Sequence, residues 1–256
     1  MVGDDILKLP AAPADARPAY GSDPNQFGEI RIPQTKGPFP VVMNIHGGYW
    51  RAKYDLTHAG HLCAALTAKG LATWNVEYRR VGNQGGGWPG TFEDIRNAFR
   101  FISQLAKRYN FDLSKILVMG HSAGGQLALC LAGHEPSIKR ALSLAGVVDL
   151  QQAWELHLSN NAVVEFLGGT PSEVPEHYRE ADPIRLSIDL TTIQWLIHGA
   201  IDDDVPASMS RNYTQQKKQR VEDVHYLEIS TAAHFDLIDP RSNAWSKVEN
   251  TIRQLF

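Results

Sequence analysis

The chain has 256 residues, a formal net charge of −3 and a hydrophobic content of 43%. That hydrophobic content is enough for a packed core and excludes an intrinsically disordered chain. The small negative charge and the lack of any run of lysine and arginine argue against nucleic acids and anionic membranes as partners.

Short apolar segments alternate with segments of helical periodicity along the chain. The predicted strands are residues 27–32, 41–45, 72–78, 115–119, 141–146, 193–199 and 225–229, the first of them with the alternation of an edge strand. The predicted helices are residues 57–69, 92–109, 126–132, 208–219 and 241–256. Because several strands are apolar throughout, the pattern predicts an α/β fold with a mostly parallel sheet and helices on both faces. The length suits one such domain over residues 1–256.

Residues 150–188 interrupt this alternation. They contain Trp154, Leu156 and Phe166, a glycine pair and several prolines. We expect a small helical insertion after the sixth core strand. It could lie over a site at the strand ends as a partial cap.

Residues 120–124 are Gly-His-Ser-Ala-Gly, which matches the Gly-x-Ser-x-Gly pattern of a nucleophile elbow. The match falls between a predicted strand and a predicted helix. On so tight a turn the serine backbone is strained, small neighbours let the chain pass closely, and the helix N-terminus stabilises developing negative charge. This context predicts that Ser122 is a nucleophile; the alternative is a plain glycine-rich turn.

A serine hydroxyl needs a base within hydrogen-bond reach, and the chain has ten histidines. His234 follows the last predicted strand after a loop of small residues, at the sheet edge where reactive groups gather. The side chain of His121, next to the serine, is expected to point elsewhere, and His198 fits a packed core histidine. We therefore predict that His234 is the base.

Three consecutive aspartates follow the next-to-last predicted strand. Asp202 lies closest to the strand end, where its position is best fixed, and we predict that it orients the base. Asp203 and Asp149, the latter after the preceding strand, remain alternatives. Asp204 could instead cap the following helix.

A catalytic serine also needs backbone N–H groups that converge on the developing oxyanion. Ala123, directly after the serine, can supply one. The segment His46–Trp50, His-Gly-Gly-Tyr-Trp, follows an apolar strand, and we assign the other donors to Gly48 and Tyr49. Glycine there lets the backbone approach a substrate oxygen. The alternative is an ordinary Gly-Gly turn.

Cys63 and Cys130 fall in apolar helical patterns, which favours buried free thiols over a disulfide or a metal site. Residues 1–10 show neither a basic segment nor a long apolar core, so no signal peptide is expected. No apolar run approaches the ~18 residues of a membrane span. The sequence thus predicts a cytoplasmic protein.

Nearly the whole chain resembles α/β hydrolases of the esterase/lipase kind. The segment His46–Trp50 is similar to the His-Gly-Gly-x-Trp signature of arylformamidases (kynurenine formamidases), a form that many carboxylesterases share; hormone-sensitive-lipase-like esterases usually have a third glycine in place of Tyr49. The resemblance implies an α/β-hydrolase fold with Ser122 as nucleophile, Asp202 as orienting acid and His234 as base. It also implies hydrolysis without a metal ion or other cofactor.

We therefore expect a serine hydrolase that cleaves a small carboxylic ester, with hydrolysis of N-formylkynurenine as the alternative. Trp50 and Trp88 are candidates to line the substrate pocket, although packing of loops against the core explains them equally well. The rivals are a non-catalytic ligand receptor of the same fold and a peptidase of the prolyl oligopeptidase type confined to short peptides. The expected partner is a small-molecule ester or formamide, and a homodimer stays open.

Overall fold

The computed structural model describes residues 3–256 and contains a seven-stranded sheet. The strands are β1 (Gly28–Arg31), β2 (Phe39–Ile45), β3 (Ala72–Val76), β4 (Phe111–His121), β5 (Arg140–Leu144), β6 (Ile193–Gly199) and β7 (Val224–Ile229). Their order is β1-β3-β2-β4-β5-β6-β7, with β1 antiparallel to β3 and every other neighbouring pair parallel. The predicted mostly parallel sheet is confirmed, and its antiparallel strand lies at an edge.

Helices cover both faces of the sheet, as predicted. They are α1 (Gly60–Thr67), α2 (Gly90–Tyr109), α3 (Ala123–His134), α4 (Leu150–Glu155), α5 (Ala162–Leu167), α6 (Pro175–Ala181), α7 (Ala207–Gln219) and α8 (Trp245–Arg253). Buried side chains of α2, α3 and α7 belong to the larger core cluster, and those of α1 and α8 belong to a second cluster on the opposite face. No helix in the described part of the chain is both long and apolar enough to cross a membrane.

Element boundaries differ from the sequence prediction where side chains bind the backbone locally. The first predicted helix begins as a 3₁₀ turn, Leu56–Ala59, because the Asp55 carboxylate accepts the Thr57 N–H at 2.8 Å. The last helix begins at Trp245 rather than at residue 241, since Asp239 accepts the Arg241 N–H at 2.8 Å and holds a turn there. Such local acceptors compete with helical hydrogen bonds.

The predicted insertion contains α4, α5 and α6 and lies between β5 and β6. Five strands of the described sheet precede it, rather than the six assumed from the sequence. Cys63 and Cys130 are buried and unbonded, as expected. Residues 1 and 2, which are part of the segment without an expected signal peptide, lie outside the described residues.

The parallel strands place the chemically distinctive segments at one edge of the sheet. β2, β4, β6 and β7 all run in the same direction. The His-Gly-Gly segment, the serine elbow, the aspartate loop and the loop of His234 directly follow these four strands. Segments that are up to about 190 residues apart in sequence therefore meet at the carboxyl ends of the strands, which is where α/β sheets bind ligands.

Candidate active site

The elbow predicted from the sequence is present between β4 and α3. Ser122 has φ 56° and ψ −121°, a conformation that side-chain-bearing residues rarely adopt, and its N–H donates to the Leu144 oxygen at 2.9 Å. A Cβ on Gly120 would lie 2.2 Å from the Gly124 oxygen, and a Cβ on Gly124 would lie 2.0 Å from the Ile45 oxygen. The close passage of the chain thus requires both glycines and holds Ser122 at the tip of the turn.

Asp202 and His234 form a hydrogen-bonded pair between the loops that follow β6 and β7. Nδ1 of His234 lies 2.7 Å from Oδ2 of Asp202, whose side chain is fully buried. Oδ1 of Asp202 accepts the N–H groups of Asp204 and Val205 at 3.0 and 2.9 Å. Because the carboxylate can only accept, Nδ1 carries the hydrogen. Nε2 of His234 is then the acceptor nitrogen that a general base needs.

Asp202 is held in its ionised form. Burial favours the neutral acid, but hydrogen bonds from His198, His234 and the Val205 N–H outweigh it, so the pKa of Asp202 lies well below its ordinary value. An ionised carboxylate fixes the tautomer of the imidazole beside it and stabilises the imidazolium that forms during proton transfer.

The other aspartates considered from the sequence are engaged differently. Asp149 is the N-cap of α4, where its side chain accepts the Gln152 N–H at 2.8 Å. Asp203 is exposed. Asp204 does not cap α7, whose N-terminus has no side-chain cap. Asp202 is the candidate that hydrogen-bonds to His234.

Ser122 and His234 line the same cavity, which has a volume of about 510 Å³. The cavity wall is rich in polar side chains, among them Arg51, Lys53, Tyr54, His58, Ser159 and Asn160. Ser122 Oγ makes no hydrogen bond within residues 3–256; such contacts are often long in unliganded enzymes and tighten in the substrate complex. No cluster of three or more metal-ligating side chains occurs in the described residues.

Neither predicted pocket tryptophan lines this cavity, so the expectation for Trp50 and Trp88 is not supported here. Trp50 is 1% exposed, stacks on Phe166 with ring centres 4.5 Å apart, and donates from Nε1 to Gln126 at 2.9 Å. Trp88 stacks on Phe92 at 5.2 Å. Both side chains pack loops onto the core, the alternative that the sequence left open. The aromatic residues of the cavity are instead Tyr49, Tyr54 and Phe235.

The loop of residues 46–51, hereafter the Gly-Gly loop, has an unusual backbone. Gly48, Tyr49 and Trp50 are consecutive residues with positive φ, at 114°, 49° and 58°. Gly48 and Tyr49 line the cavity. Their N–H groups and that of Ala123 donate to no acceptor among the described residues. No protein acceptor in residues 3–256 therefore competes with a substrate oxygen for these three predicted donors.

His121 contacts His234 and lines the cavity, whereas the sequence analysis expected its side chain to point elsewhere. Its Nε2 hydrogen is donated to the His234 carbonyl oxygen at 3.0 Å, and the two rings lie 4.4 Å apart. Burial lowers the pKa of His121 well below its ordinary value, so the ring is neutral. Its position beside the nucleophile in sequence was the available signal.

His198 contacts the orienting acid. Its Nε2 lies 2.9 Å from the Val205 oxygen and 3.3 Å from Asp202 Oδ2, while Nδ1 lies 2.7 Å from Ser210 Oγ. Since the carbonyl oxygen can only accept, Nε2 carries a hydrogen that also points toward the carboxylate. The sequence interpretation of a buried core histidine is therefore correct but incomplete.

Arg51 links the Gly-Gly loop to the insertion. Its guanidinium donates to both carboxylate oxygens of Glu165 at 2.7 and 3.0 Å, and to Oγ and the backbone oxygen of Ser159 at 3.0 and 2.9 Å. Ser159 and Asn160 line the cavity. The insertion therefore supplies part of the cavity wall and is fixed there by a bidentate contact.

Comparisons with known proteins agree with this geometry. The family model described as BD-FAE matches residues 29–216. The uncharacterized peptidase YtmA of Bacillus subtilis (strain 168) is 28% identical over 223 residues, which cover 84% of this chain and 83% of that protein. Versiconal hemiacetal acetate esterase of Dothistroma septosporum (strain NZE10 / CBS 128990) is 29% identical over 167 residues, which cover 58% of this chain and 49% of that esterase.

The fold is shared with solved hydrolase structures. A truncated form of a carbohydrate esterase from gut microbiota matches with a TM-score of 0.82 at 19% sequence identity, over 96% of each chain. At that identity the match supports the fold alone. The BD-FAE model, by contrast, covers more than half of the sequence. The chain therefore belongs to the BD-FAE family and is an α/β hydrolase of the esterase type, a serine hydrolase.

Proposed function

We propose that this protein is a carboxylesterase that cleaves small esters through an acyl-enzyme. Ser122 is the nucleophile, His234 the general base and Asp202 the orienting acid. The observation that supports this most is the 2.7 Å contact between His234 Nδ1 and Asp202 Oδ2, in a histidine that lines the same cavity as Ser122. That contact assigns the hydrogen to Nδ1 and the acceptor role to Nε2.

The reaction follows from these positions. Ser122 Oγ attacks the ester carbonyl carbon while His234 Nε2 takes the hydroxyl proton, and the carbonyl oxygen becomes an oxyanion on the N–H groups of Gly48, Tyr49 and Ala123. Collapse of the tetrahedral intermediate breaks the bond to the alcohol oxygen, to which the imidazolium gives its proton. Water then attacks the acyl-enzyme by the same sequence and releases the carboxylic acid.

We rank a small ester above an aryl formamide because neither tryptophan expected for an aryl pocket lines the cavity. Its wall contains Arg51, Lys53, Ser159 and Asn160, whereas the two tryptophans expected for an aryl pocket are in the core or packed on loops. Carbohydrate esters are a second candidate class, because they present hydroxyl groups that such a wall can bind, and one structural neighbour is a carbohydrate esterase. The peptidase name of the Bacillus relative makes short peptides the third class to test.

The experiment is a comparison of kcat/KM for p-nitrophenyl acetate and butyrate, an acetylated monosaccharide, N-formyl-L-kynurenine and a dipeptide anilide. We expect the highest values for the esters. Ser122→Ala should lower each by more than about a thousandfold, since losing a triad member typically costs ~10⁴. Strong preference for the formamide would instead make the protein an arylformamidase.

Labelling with a fluorophosphonate separates the esterase from a non-catalytic receptor. We expect the wild-type protein to be labelled at Ser122 and Ser122→Ala to remain unlabelled. A folded wild-type protein that resists the reagent, and that hydrolyses no ester faster than Ser122→Ala, would contradict the proposed function.

A further inference from the structure

The Gly-Gly loop begins at another carboxylate–imidazole pair, formed by His46 and Glu77. His46 follows β2 and Glu77 follows β3, two adjacent parallel strands. His46 Nε2 lies 3.0 Å from Glu77 Oε1, with side-chain exposures of 0% and 3%. A buried pair of this kind costs desolvation energy, so its retention calls for a structural or functional reason.

Both ring nitrogens of His46 face oxygen acceptors. Nε2 points at the Glu77 carboxylate, and Nδ1 lies 2.7 Å from the Gly47 carbonyl oxygen. Neither acceptor can donate, so the ring satisfies both only when it carries two hydrogens and a positive charge. Tyr78 holds the ring in place: it stacks on it at 4.5 Å and donates its hydroxyl to the His46 carbonyl oxygen at 2.9 Å.

The contact to the Gly47 oxygen orients the next peptide group. In a trans peptide the carbonyl of one residue and the N–H of the following residue point in opposite directions. The Gly47–Gly48 bond is not among the cis peptide bonds of residues 3–256. With the Gly47 oxygen held on the buried His46 ring, the Gly48 N–H points away from the ring, and Gly48 itself lines the cavity.

Glu77 is held in place by several other contacts and therefore fixes the position of His46. Besides His46 it accepts the Leu56 N–H at 3.0 Å, the Tyr78 N–H at 2.9 Å and Arg80 Nη1 at 3.1 Å. Burial works to raise the pKa of Glu77, but His46, Arg80 and the Tyr78 N–H hold it below its ordinary value. The carboxylate therefore ties both ends of the chain segment that carries the Gly-Gly loop, from His46 to Leu56.

We infer that His46 and Glu77 are positioning residues for the oxyanion hole: the charged pair holds the Gly47 carbonyl and so aims the Gly48 N–H at the substrate oxygen. The inference rests on the proposed function, since it concerns the same site. Its consequence is specific. Breaking the pair weakens binding of the transition state and leaves binding of the ground-state ester nearly unchanged.

The test compares Glu77→Gln with the wild-type enzyme. Glutamine keeps the size of the side chain but cannot form an ion pair with the His46 ring. We expect kcat to fall ~10–100-fold, part of the ~10²–10³-fold cost of deleting one oxyanion donor, with KM changed less than about threefold. Affinity for a trifluoromethyl ketone, whose adduct with the serine oxygen carries an oxyanion, should fall by a factor similar to that of kcat.

Two further variants separate positioning from general damage. Glu222→Gln is the matched control, because Glu222 is an equally buried carboxylate, 3.5 Å from Lys217, and does not line the cavity. His46→Asn keeps an amide N–H near the place of Nδ1, whereas His46→Leu removes it. We expect wild-type kinetics for Glu222→Gln, and a smaller loss of ketone affinity in His46→Asn than in His46→Leu.

The outcomes distinguish this inference from the proposed function. If the wild-type enzyme is labelled at Ser122 but folded Glu77→Gln keeps kcat and ketone affinity, the positioning role is wrong and the esterase stands. If the wild-type enzyme is neither labelled nor active, the proposed function itself fails. Should Glu77→Gln not fold, equal ketone affinity in His46→Asn, His46→Leu and the wild-type enzyme would overturn the inference.

Discussion

The Glu77–His46 pair and the Asp202–His234 pair are both buried carboxylate–imidazole contacts at the same edge of the sheet. Their contacts are alike: 3.0 Å in the first pair and 2.7 Å in the second. In both pairs hydrogen bonds to the carboxylate lower its pKa despite burial. The pairs differ at the second ring nitrogen. In His46 that nitrogen contacts the Gly47 oxygen, whereas Nε2 of His234 has no partner among the described residues and the ring lines the cavity.

The difference shows how one pair of residue types serves two purposes. A histidine can accept and release a proton during catalysis only when one nitrogen faces the reacting groups. When both nitrogens are engaged with the protein, as in His46, the ring has no nitrogen free for proton transfer, and we infer a supporting role for it. Residue type and burial are similar in the two pairs, so the free nitrogen is the feature on which we propose His234 as the base and His46 as a support.

The largest predicted effect comes from the orienting acid. Asp202→Asn keeps the shape of the side chain but removes the charge that fixes Nδ1–H on His234, so we expect kcat for p-nitrophenyl acetate to fall ~10⁴-fold. Asp203→Asn, one residue further and exposed, is the control and should behave as wild type. A residual activity above about a hundredth of wild type would assign the acid role elsewhere.

The next largest effect tests the Gly-Gly loop directly. Gly48→Ala places a Cβ 2.5 Å from the Tyr54 Cβ, at a φ of 114° that alanine rarely adopts. The loop must shift, so we expect kcat to fall ~10²-fold, close to the cost of losing one oxyanion donor. Gly70→Ala is the matched control, since its φ is 90° but no atom lies within 4 Å of the added Cβ. Equal kinetics in the two variants would contradict an oxyanion role for the loop.

The sequence predicts those candidate catalytic residues whose positions follow from a local sequence pattern. The elbow of Ser122 is defined by five consecutive residues between a strand and a helix, and Asp202 and His234 are each the distinctive residue just after a strand. A parallel sheet brings such positions together regardless of their separation in sequence. For this reason the predicted Asp202–His234 contact appears in the structure.

The supports of the site were missed because they depend on contacts that leave no local pattern. Glu77 lies 31 residues from His46, and directly after β3 it resembles any polar residue at a strand end. From the sequence alone His198 fits a core histidine, because its contact with Asp202 depends on how the loop after β6 folds back. For Trp50 the local pattern was misleading in the opposite way. The residue belongs to the His-Gly-Gly-x-Trp motif, but its side chain packs in the core against Phe166.

A smaller effect is expected from His198, whose side chain also contacts Asp202. His198→Asn withdraws the donor near Asp202, so kcat should fall about fivefold, the equivalent of one hydrogen bond of ~1 kcal/mol. His198→Gln, whose amide N–H reaches further, should recover part of the loss. Unchanged kcat in folded His198→Asn would mean that His198 does not contribute to catalysis.

The lowered pKa of Asp202 has a pH signature in stability. Because the pKa of Asp202 is lowered in the folded protein, its stabilising contribution is present above the unfolded value of about 3.9 and is lost as pH falls through the folded value. The Tm difference between wild type and Asp202→Asn should therefore be larger at about pH 7 than at about pH 3. A Tm difference that does not depend on pH would mean that the folded protein does not lower the pKa of Asp202.

The smallest effect on activity, and a counterpart to both pairs, concerns a buried carboxylate without an imidazole. Asp182, at the end of α6, accepts the Leu150 N–H at 3.0 Å, while its Oδ2 makes no hydrogen bond in the described residues and lies 3.4 Å from Arg185 Nε. Burial raises the pKa of Asp182 to about 7. The folded protein then binds more protons than the unfolded chain, so this residue lowers stability as pH rises from about 4 to 7.

Asp182→Asn keeps the Leu150 contact and removes that penalty. We expect its Tm advantage over wild type to grow between pH 5 and 8 (about the range in which this aspartate ionises), with kcat/KM within about twofold of wild type because Asp182 does not line the cavity. A Tm difference of the same size at both pH values would mean that the protein accommodates a buried charge without an imidazole as easily as with one.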